Sequence, residues 1–242
     1  MIDINSDIGE AFGAYPLGDD EAIMAYIDSA NIACGMHAGD PIVMECTVRL
    51  AKEHNLRIGA HPGWPDLQGF GRREMALSPD ETEAYVLYQI GALAGFCRAN
   101  GVELIHVKPH GALYNQAARN PALAAAVARA VNRFSRQVIL VGLAGSCLVQ
   151  AGLDLGLSVW SEAFPDRAYE EDGSLRSRKL PGALVEDPAE AAVNGVNLAK
   201  EGICAVVEGQ VVTWKVDTLC VHGDSPHAVE TARLLREALI GV

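Results

Sequence analysis

Short apolar runs, rich in β-branched residues, alternate along the chain with longer segments whose apolar positions recur three and four residues apart. The short runs predict strands over residues 2–5, 30–33, 57–60, 103–107, 137–141, 158–161 and 217–221. The longer segments predict helices over 19–28, 41–54, 78–100, 121–134, 145–155, 187–201 and 225–240. Several helix starts are legible. Asp40-Pro41 and Ser78-Pro79 each put a capping side chain before a first-turn proline, and Asp80 and Glu81 suit the positive helix end. Asn100-Gly101 is a stop before the next strand. Strictly alternating β and α units imply a parallel sheet with right-handed crossovers. About seven such units point to a closed (β/α) barrel, with a doubly wound open sheet as the alternative. No G-x-G-x-x-G follows the first strand, which weakens a dinucleotide-binding version of that alternative. Two places break the rhythm: residues 164–182 read as a long functional loop, and residues 206–212 as a small β-hairpin.

Composition narrows the classes. With 242 residues, half of them hydrophobic, the chain reads as a single domain over 1–242 with a sizeable core. A formal net charge of −12 excludes a nucleic-acid partner of the usual kind, which needs a basic surface. No run approaches the roughly 20 apolar residues that span a bilayer, and Met1 leads directly into Ile2-Asp3-Ile4-Asn5 with no basic or apolar leader. The six cysteines are scattered without a C-x-x-C pair, as in reduced core thiols of a cytoplasmic protein.

Candidate chemistry gathers where strands end. Asp7 and Glu10 follow the first, Cys34 to Asp40 with His37 the second, and His61-Pro62-Gly63-Trp64-Pro65-Asp66 the third. Lys108, His110 and Asn115 follow the fourth, Glu162, Asp166 and Arg167 the sixth, and His222-Gly223-Asp224 the last. Only the fifth strand, with Gly142, Gly145 and Ser146, ends without an ionisable group. Active sites of parallel barrels form at this face, so Asp7, His37, His61, Lys108, His110 and Glu162 are read as functional. Others have structural readings: Asp40 and Asp224 as helix caps, His54 and His227 as solvated helix residues, His106 as a barrel-side packing residue. Gly69-Phe70-Gly71-Arg72-Arg73 reads either as a carboxylate clamp or as a solvated loop with surface ion pairs. Asp7, His37 and His61 form a conditional zinc or manganese set. Neither a P-loop nor an H-E-x-x-H motif occurs.

Several blocks together resemble one family. They are Asp3-Ile4-Asn5-Ser6-Asp7-Ile8-Gly9-Glu10, Ser29-Ala30-Asn31-Ile32-Ala33-Cys34-Gly35-Met36-His37-Ala38-Gly39-Asp40-Pro41, Gly59-Ala60-His61-Pro62-Gly63, Gly69 to Arg73, Tyr88 to Leu93, Val107 to Asn115, Asp166-Arg167-Ala168-Tyr169 and Cys220-Val221-His222-Gly223-Asp224. In order and nearly end to end, they resemble the LamB/YcsF family, the A subunits of bacterial ATP-dependent 5-oxoprolinases. Met36 and Trp64 stand where Phe and Tyr are expected, and the 163–165 loop varies; no ionisable residue is lost.

The resemblance implies a glycoside hydrolase/deacetylase-like (β/α) barrel that opens 5-oxo-L-proline to L-glutamate, with ATP as co-substrate and subunits B and C as partners. For that chemistry Lys108 is expected beside oxyanion charge, His61 and His110 in proton transfer, and Asp7 or Glu162 as orienting group or base. Substrate contacts are expected from Asn31, His37, Arg72, Asn115, Arg167 and Asp224. The alternatives are a metal-dependent deacetylase or amidohydrolase on an N-acyl substrate, a Lys108 Schiff-base aldolase, and a non-catalytic accessory subunit. Homo-oligomers fit any of them.

Overall fold

The computed structural model describes residues 2–207, 209–223 and 226–240. Its strands are β1 (Asp3–Ile8), β2 (Ser29–Ala33), β3 (Arg57–His61), β4 (Leu104–Val107), β5 (Ile139–Leu143), β6 (Val159–Ala163), β7 (Ile203–Val207), β8 (Gln210–Trp214) and β9 (Thr218–His222). Seven of them close a parallel barrel in the order β1-β2-β3-β4-β5-β6-β9, while β7 and β8 pair as a separate antiparallel hairpin. The barrel and the hairpin match the sequence expectations; the open sheet does not occur.

Around the barrel lie α1 (Asp20–Met24), α2 (Pro41–Glu53), α3 (Pro79–Ala99), α4 (Gly111–Arg119), α5 (Pro121–Phe134), α6 (Cys147–Asp154), α7 (Pro188–Glu201) and α8 (Ala228–Ala238). The caps work as the sequence suggests. The Asp40 carboxylate accepts from the Ile42 and Val43 amides, and Ser78 and Glu81 form a reciprocal capping box. α1 is shorter than its expected span, because Asp28 must turn back to β1, where its carboxylate accepts from the Ile4 amide at 3.0 Å. α4 lies in a stretch for which the sequence predicts only a rim loop. The possible cap at Asp224 lies outside the described residues. None of the described helices is long and apolar enough to cross a membrane.

What positions the site is an inversion of the usual barrel interior, which is filled by layers of branched apolar side chains. Residues two apart on a strand share a face. On β1, Ile4 and Ile8 face the helices and belong to the apolar core, whereas Asp3, Asn5 and Asp7 face the barrel axis. The same alternation runs on: Ala30, Ile32, Ile58, Ala60, Val107, Leu219 and Val221 pack outward. Ser29, Asn31, His61, His106, Thr218 and Cys220 point inward and are buried. The hydrophobic driving force therefore resides in the jacket between sheet and helices, at roughly 25 cal/mol per Å² buried. The axis is a polar column that is tolerable only because its members bond one another. Near its base the Asp3 carboxylate accepts from Ser29 and Thr218 and pairs with Arg57. One step up, the His106 Nε2–H donates to the Asn31 amide oxygen at 2.6 Å. A side chain on Gly59 would overlap the His106 ring, so glycine there makes its room. His106 is thus the barrel-side packing residue expected from its alternation.

Candidate active site at the carboxyl ends of the strands

Lys108 continues the alternation of β4 by one residue. Its amide still donates to Ala60 of β3 at 2.9 Å, so its side chain enters the barrel as His106 does. Only 2% exposed, its ammonium lies 2.8 Å from Asp7 Oδ1, 2.9 Å from Glu162 Oε1, 3.1 Å from Asn5 Oδ1 and 2.9 Å from Cys220 Sγ. The Asn5 amide donates to Glu162 and Thr218, and that of Asn31 donates to Asn5 and Asp7. Burial opposes the charge on Lys108, but Asp7 foremost outweighs it and holds the ammonium's pKa well above the ordinary lysine value. Burial likewise opposes charge on Asp7, and His61 and Lys108 reverse that effect, leaving its carboxyl well below the usual range. This cluster is a network of charges that satisfy each other. The Tyr114 hydroxyl and the second oxygen of Glu162, Oε2, are buried there without a hydrogen-bond partner.

A second cluster lies next to it. Pro109 and Gly111 bracket His110, whose amide donates to the Pro62 carbonyl at 2.8 Å. The His61 Nδ1–H donates to the Lys108 carbonyl at 2.7 Å, and the His110 Nε2–H to the Phe70 carbonyl at 2.8 Å. The other nitrogens, His61 Nε2 and His110 Nδ1, face each other at 3.0 Å. Glu10, turned inward after Gly9 at φ +68, brings Oε1 to 3.4 Å from His110 Nδ1, 4.0 Å from His61 Nε2 and 3.1 Å from His37 Nε2. The His37 ring stacks on that of His110, centroids 3.8 Å apart. Burial first, and neighbouring imidazoles second, push His37 and His110 well below the normal histidine pKa, so both rings are neutral at pH 7. A Cβ on Gly63 would come within 2.5 Å of His37, and one on Gly71 within 2.8 Å of both His37 and His110. The glycines of the rim loops are what allow the imidazoles to stack.

The cluster opens toward β9 and the loop after β6. Asp7, Asp166 and His222 are the more exposed members, with side chains 11%, 16% and 12% accessible. His222 Nδ1 lies 2.7 Å from Asp166, and its ring stacks on Phe164, over which the Lys108 ammonium sits at 5.4 Å. A cavity of about 280 Å³ beyond Phe164, lined in part by Arg167, Tyr169 and Asn194, leads away toward α7 and holds none of the histidines.

Of the residues expected from sequence, Asp7, Asn31, His37, His61, Lys108, His110 and Glu162 come together. Arg167 does not join them; its guanidinium donates to the carbonyls of Ala183 and Arg176 and ties the 164–182 loop down. Arg72 and Asn115 are exposed, Arg72 over the Phe70 ring, and Arg73 pairs with Asp66 at the surface. Asp224 lies outside the described residues. The metal set shifts: Glu10, His37, His61 and His110 present donor atoms within 4.8 Å of one another, while Asp7 groups with Cys220 and His222. Sequence reasoning placed Glu10 at the strand end but assigned it no role, and passed over Asn5, Cys220 and Tyr114. The signal for Asn5 was the polar half of the β1 alternation.

Residues 2–241 match the model of the LamB/YcsF family. Curated relatives include a protein of Chloroflexus aggregans, 55% identical over 98% of this chain and 94% of its own length, and one of Pyrococcus abyssi, 53% identical over 98% and 93%; both bear the name of the 5-oxoprolinase A subunit. The crystal structure of a lactam utilization protein from Thermus thermophilus superposes with a TM-score of 0.90 at 49% identity, covering 99% of this chain and 96% of that one.

Proposed function

Because the chain belongs to the LamB/YcsF family, we propose that it is the A subunit of a 5-oxoprolinase and that the lactam of 5-oxo-L-proline is opened at the carboxyl end of its barrel. The observation that carries this reading is the collinear identity, above half, to proteins bearing that name. The polar column adds the groups that the chemistry needs. In this reading ATP gives its γ-phosphoryl group to the lactam oxygen, leaving ADP. Water then loses a proton and adds to the activated carbon. The C–N bond breaks as the ring nitrogen gains a proton, leaving γ-glutamyl phosphate, and a second water hydrolyses that acyl phosphate to phosphate and L-glutamate. Lys108 balances the charge that collects on oxygen at the tetrahedral stage, where a preformed cation in a dry site is most effective. The facing nitrogens of His61 and His110 are placed to take and pass protons, each ring fixed by a backbone carbonyl. Asp7 orients Lys108, its carboxylate 2.8 Å from the ammonium. Subunits B and C complete the assembly and its coupling to ATP.

The test is 5-oxoproline-dependent ATP hydrolysis and glutamate formation, measured for the chain alone and with its partner subunits. Activity is expected only in the assembly, and Lys108→Ala and His110→Ala should each lower it by about 100-fold or more. Undiminished activity in either variant overturns the assignment, and undiminished activity in every barrel-end variant moves the chemistry to the partners.

A further inference from the structure

The backbone bonds of His61 and His110 leave one nitrogen of each ring facing the other. Backbone carbonyls only accept hydrogen bonds, so the nitrogen facing each carbonyl must carry the ring proton. That fixes both tautomers from outside the pair. With both rings neutral, His61 Nε2 and His110 Nδ1 then face each other as acceptors across 3.0 Å, with the Asp7 carboxylate 3.3 Å from His61 Nε2, and a proton or a metal ion between them would satisfy both. The carboxylate oxygen Glu10 Oε1 converges on the same point, at 3.4 Å from His110 Nδ1 and 4.0 Å from His61 Nε2. Three electron-pair donors directed at one place match the ligand set of a metal ion. His37 adds a fourth: its Nε2–H donates to Glu10 Oε1 at 3.1 Å, and a bound ion would replace that proton, with the ring proton moved to Nδ1.

We propose that Glu10, His37, His61 and His110 form a binding site for one divalent transition-metal ion, of the zinc or manganese class. Three imidazoles and one carboxylate suit such ions, and hard magnesium or calcium poorly. The site is prepared in advance. The donor atoms lie within 4.8 Å of one another, and the two carbonyl bonds hold the rings of His61 and His110 as outer-shell partners hold metal-bound histidines. The other candidate group, Asp7, Cys220 and His222, is already served. The Lys108 ammonium contacts Asp7 and Cys220 at 2.8 and 2.9 Å, and His222 is bonded to Asp166. The binding claim stands without the 5-oxoprolinase reading; only the use of the ion in ring opening, where it would take the place of a proton between the two histidines, rests on it.

The experiment uses the full chain treated with chelator, then titrated with zinc, manganese or cobalt by calorimetry, with metal content measured after dialysis. One equivalent per chain is expected, with affinity falling about 100-fold or more in His61→Gln and in His110→Gln. Long-range proton–nitrogen NMR of the unsubstituted protein supplies a readout that no folding defect can mimic. Before zinc, the ring proton should sit on Nδ1 of His61 and Nε2 of His110; zinc should then move the opposite nitrogen of each ring. Binding below one equivalent, unchanged affinity in both variants, or zinc that leaves those nitrogens unmoved would each overturn the site. A chain that binds zinc this way yet supports no glutamate formation with its partners retires the proposed function and leaves the site standing. A fully active assembly without bound metal, from a chain that takes up none, does the reverse.

Discussion

The two clusters at the barrel's mouth are built from the same two strand ends and solve opposite electrostatic problems. Asp7 and Glu10 come from the end of β1, and Lys108 and His110 from the end of β4, three and two residues apart. Around Lys108 the counter-charge is covalently part of the chain: one ammonium answers Asp7 and Glu162 at 2.8 and 2.9 Å. Around His110 two facing imidazole nitrogens and the Glu10 carboxylate converge on one point. The first cluster carries its own counter-charges, whereas the second gathers donor atoms suited to a bound ion. Burial is equally severe in both, so accessibility alone does not separate a structural charge network from a reactive one; the balance of donors and acceptors does.

The largest expected effect tests that difference directly. Lys108→Met should leave Asp7 and Glu162 buried without their cation, a loss of about 3–5 kcal/mol in urea unfolding, since breaking a buried pair strands a charge. Adding Asp7→Asn and Glu162→Gln should restore part of it. His110→Gln removes a neutral ring and should cost less than half as much. Equal losses at the two positions would erase the distinction.

Acid should separate the clusters next. His37 and His110 are held well below 6.5, and His106 is pushed down to about 4, in each case chiefly by burial. A histidine whose folded pKa is depressed stabilises fully above its unfolded value and loses that contribution as pH falls. The window therefore opens near pH 6.5 and runs toward 4. Each group contributes about 1.4 kcal/mol per pH unit there, up to about 4 for all three. Asp7, whose folded pKa is also lowered, holds its contribution until pH falls below about 4. Lys108, raised above its normal value, keeps its own until pH climbs past about 10. Urea unfolding of the metal-free chain from pH 7.5 to 5 should show a steep decline. A flat profile would mean that the imidazoles are charged in the folded state.

Much of this was legible in the sequence, and for identifiable reasons. Each barrel strand declared itself by an apolar run, and α2 and α3 by capping residues before a first-turn proline. α4 did not, because it starts directly on His110 with no side-chain cap and with Gly111 at φ +49, so its first turn reads as loop. Asp7, His61, Lys108 and His110 were recognisable as ionisable groups at strand ends. Glu10 acquires its role only from the turn at Gly9, and Cys220 only from the direction in which the barrel closes, neither of which residue types announce, whereas Asn5 stood in the polar half of the β1 alternation. Arg167 misled for the converse reason: a guanidinium beside a loop suits a ligand's carboxylate, but loop carbonyls satisfy it just as well.

Glycines give the smallest effects and sharpen the contrast between the polar axis and the apolar jacket. Gly59 faces the axis, where a methyl group would strike the His106 ring and disturb its bond to Asn31. Gly59→Ala should therefore destabilise by about 1–3 kcal/mol, the usual range for overpacking. Gly91 lies on the exposed side of α3, and nothing stands within 4 Å of a Cβ built there. Gly91→Ala should raise stability by about 0.5–1 kcal/mol, because alanine has less backbone freedom to lose and helical φ and ψ suit it. The two shifts, read from urea midpoints of the same preparation, should have opposite signs. Two losses of similar size would mean that α3 is held at Gly91 by a contact the isolated chain lacks; two neutral results would mean that the interior yields to a methyl group and that the polar column is not held in register by its packing.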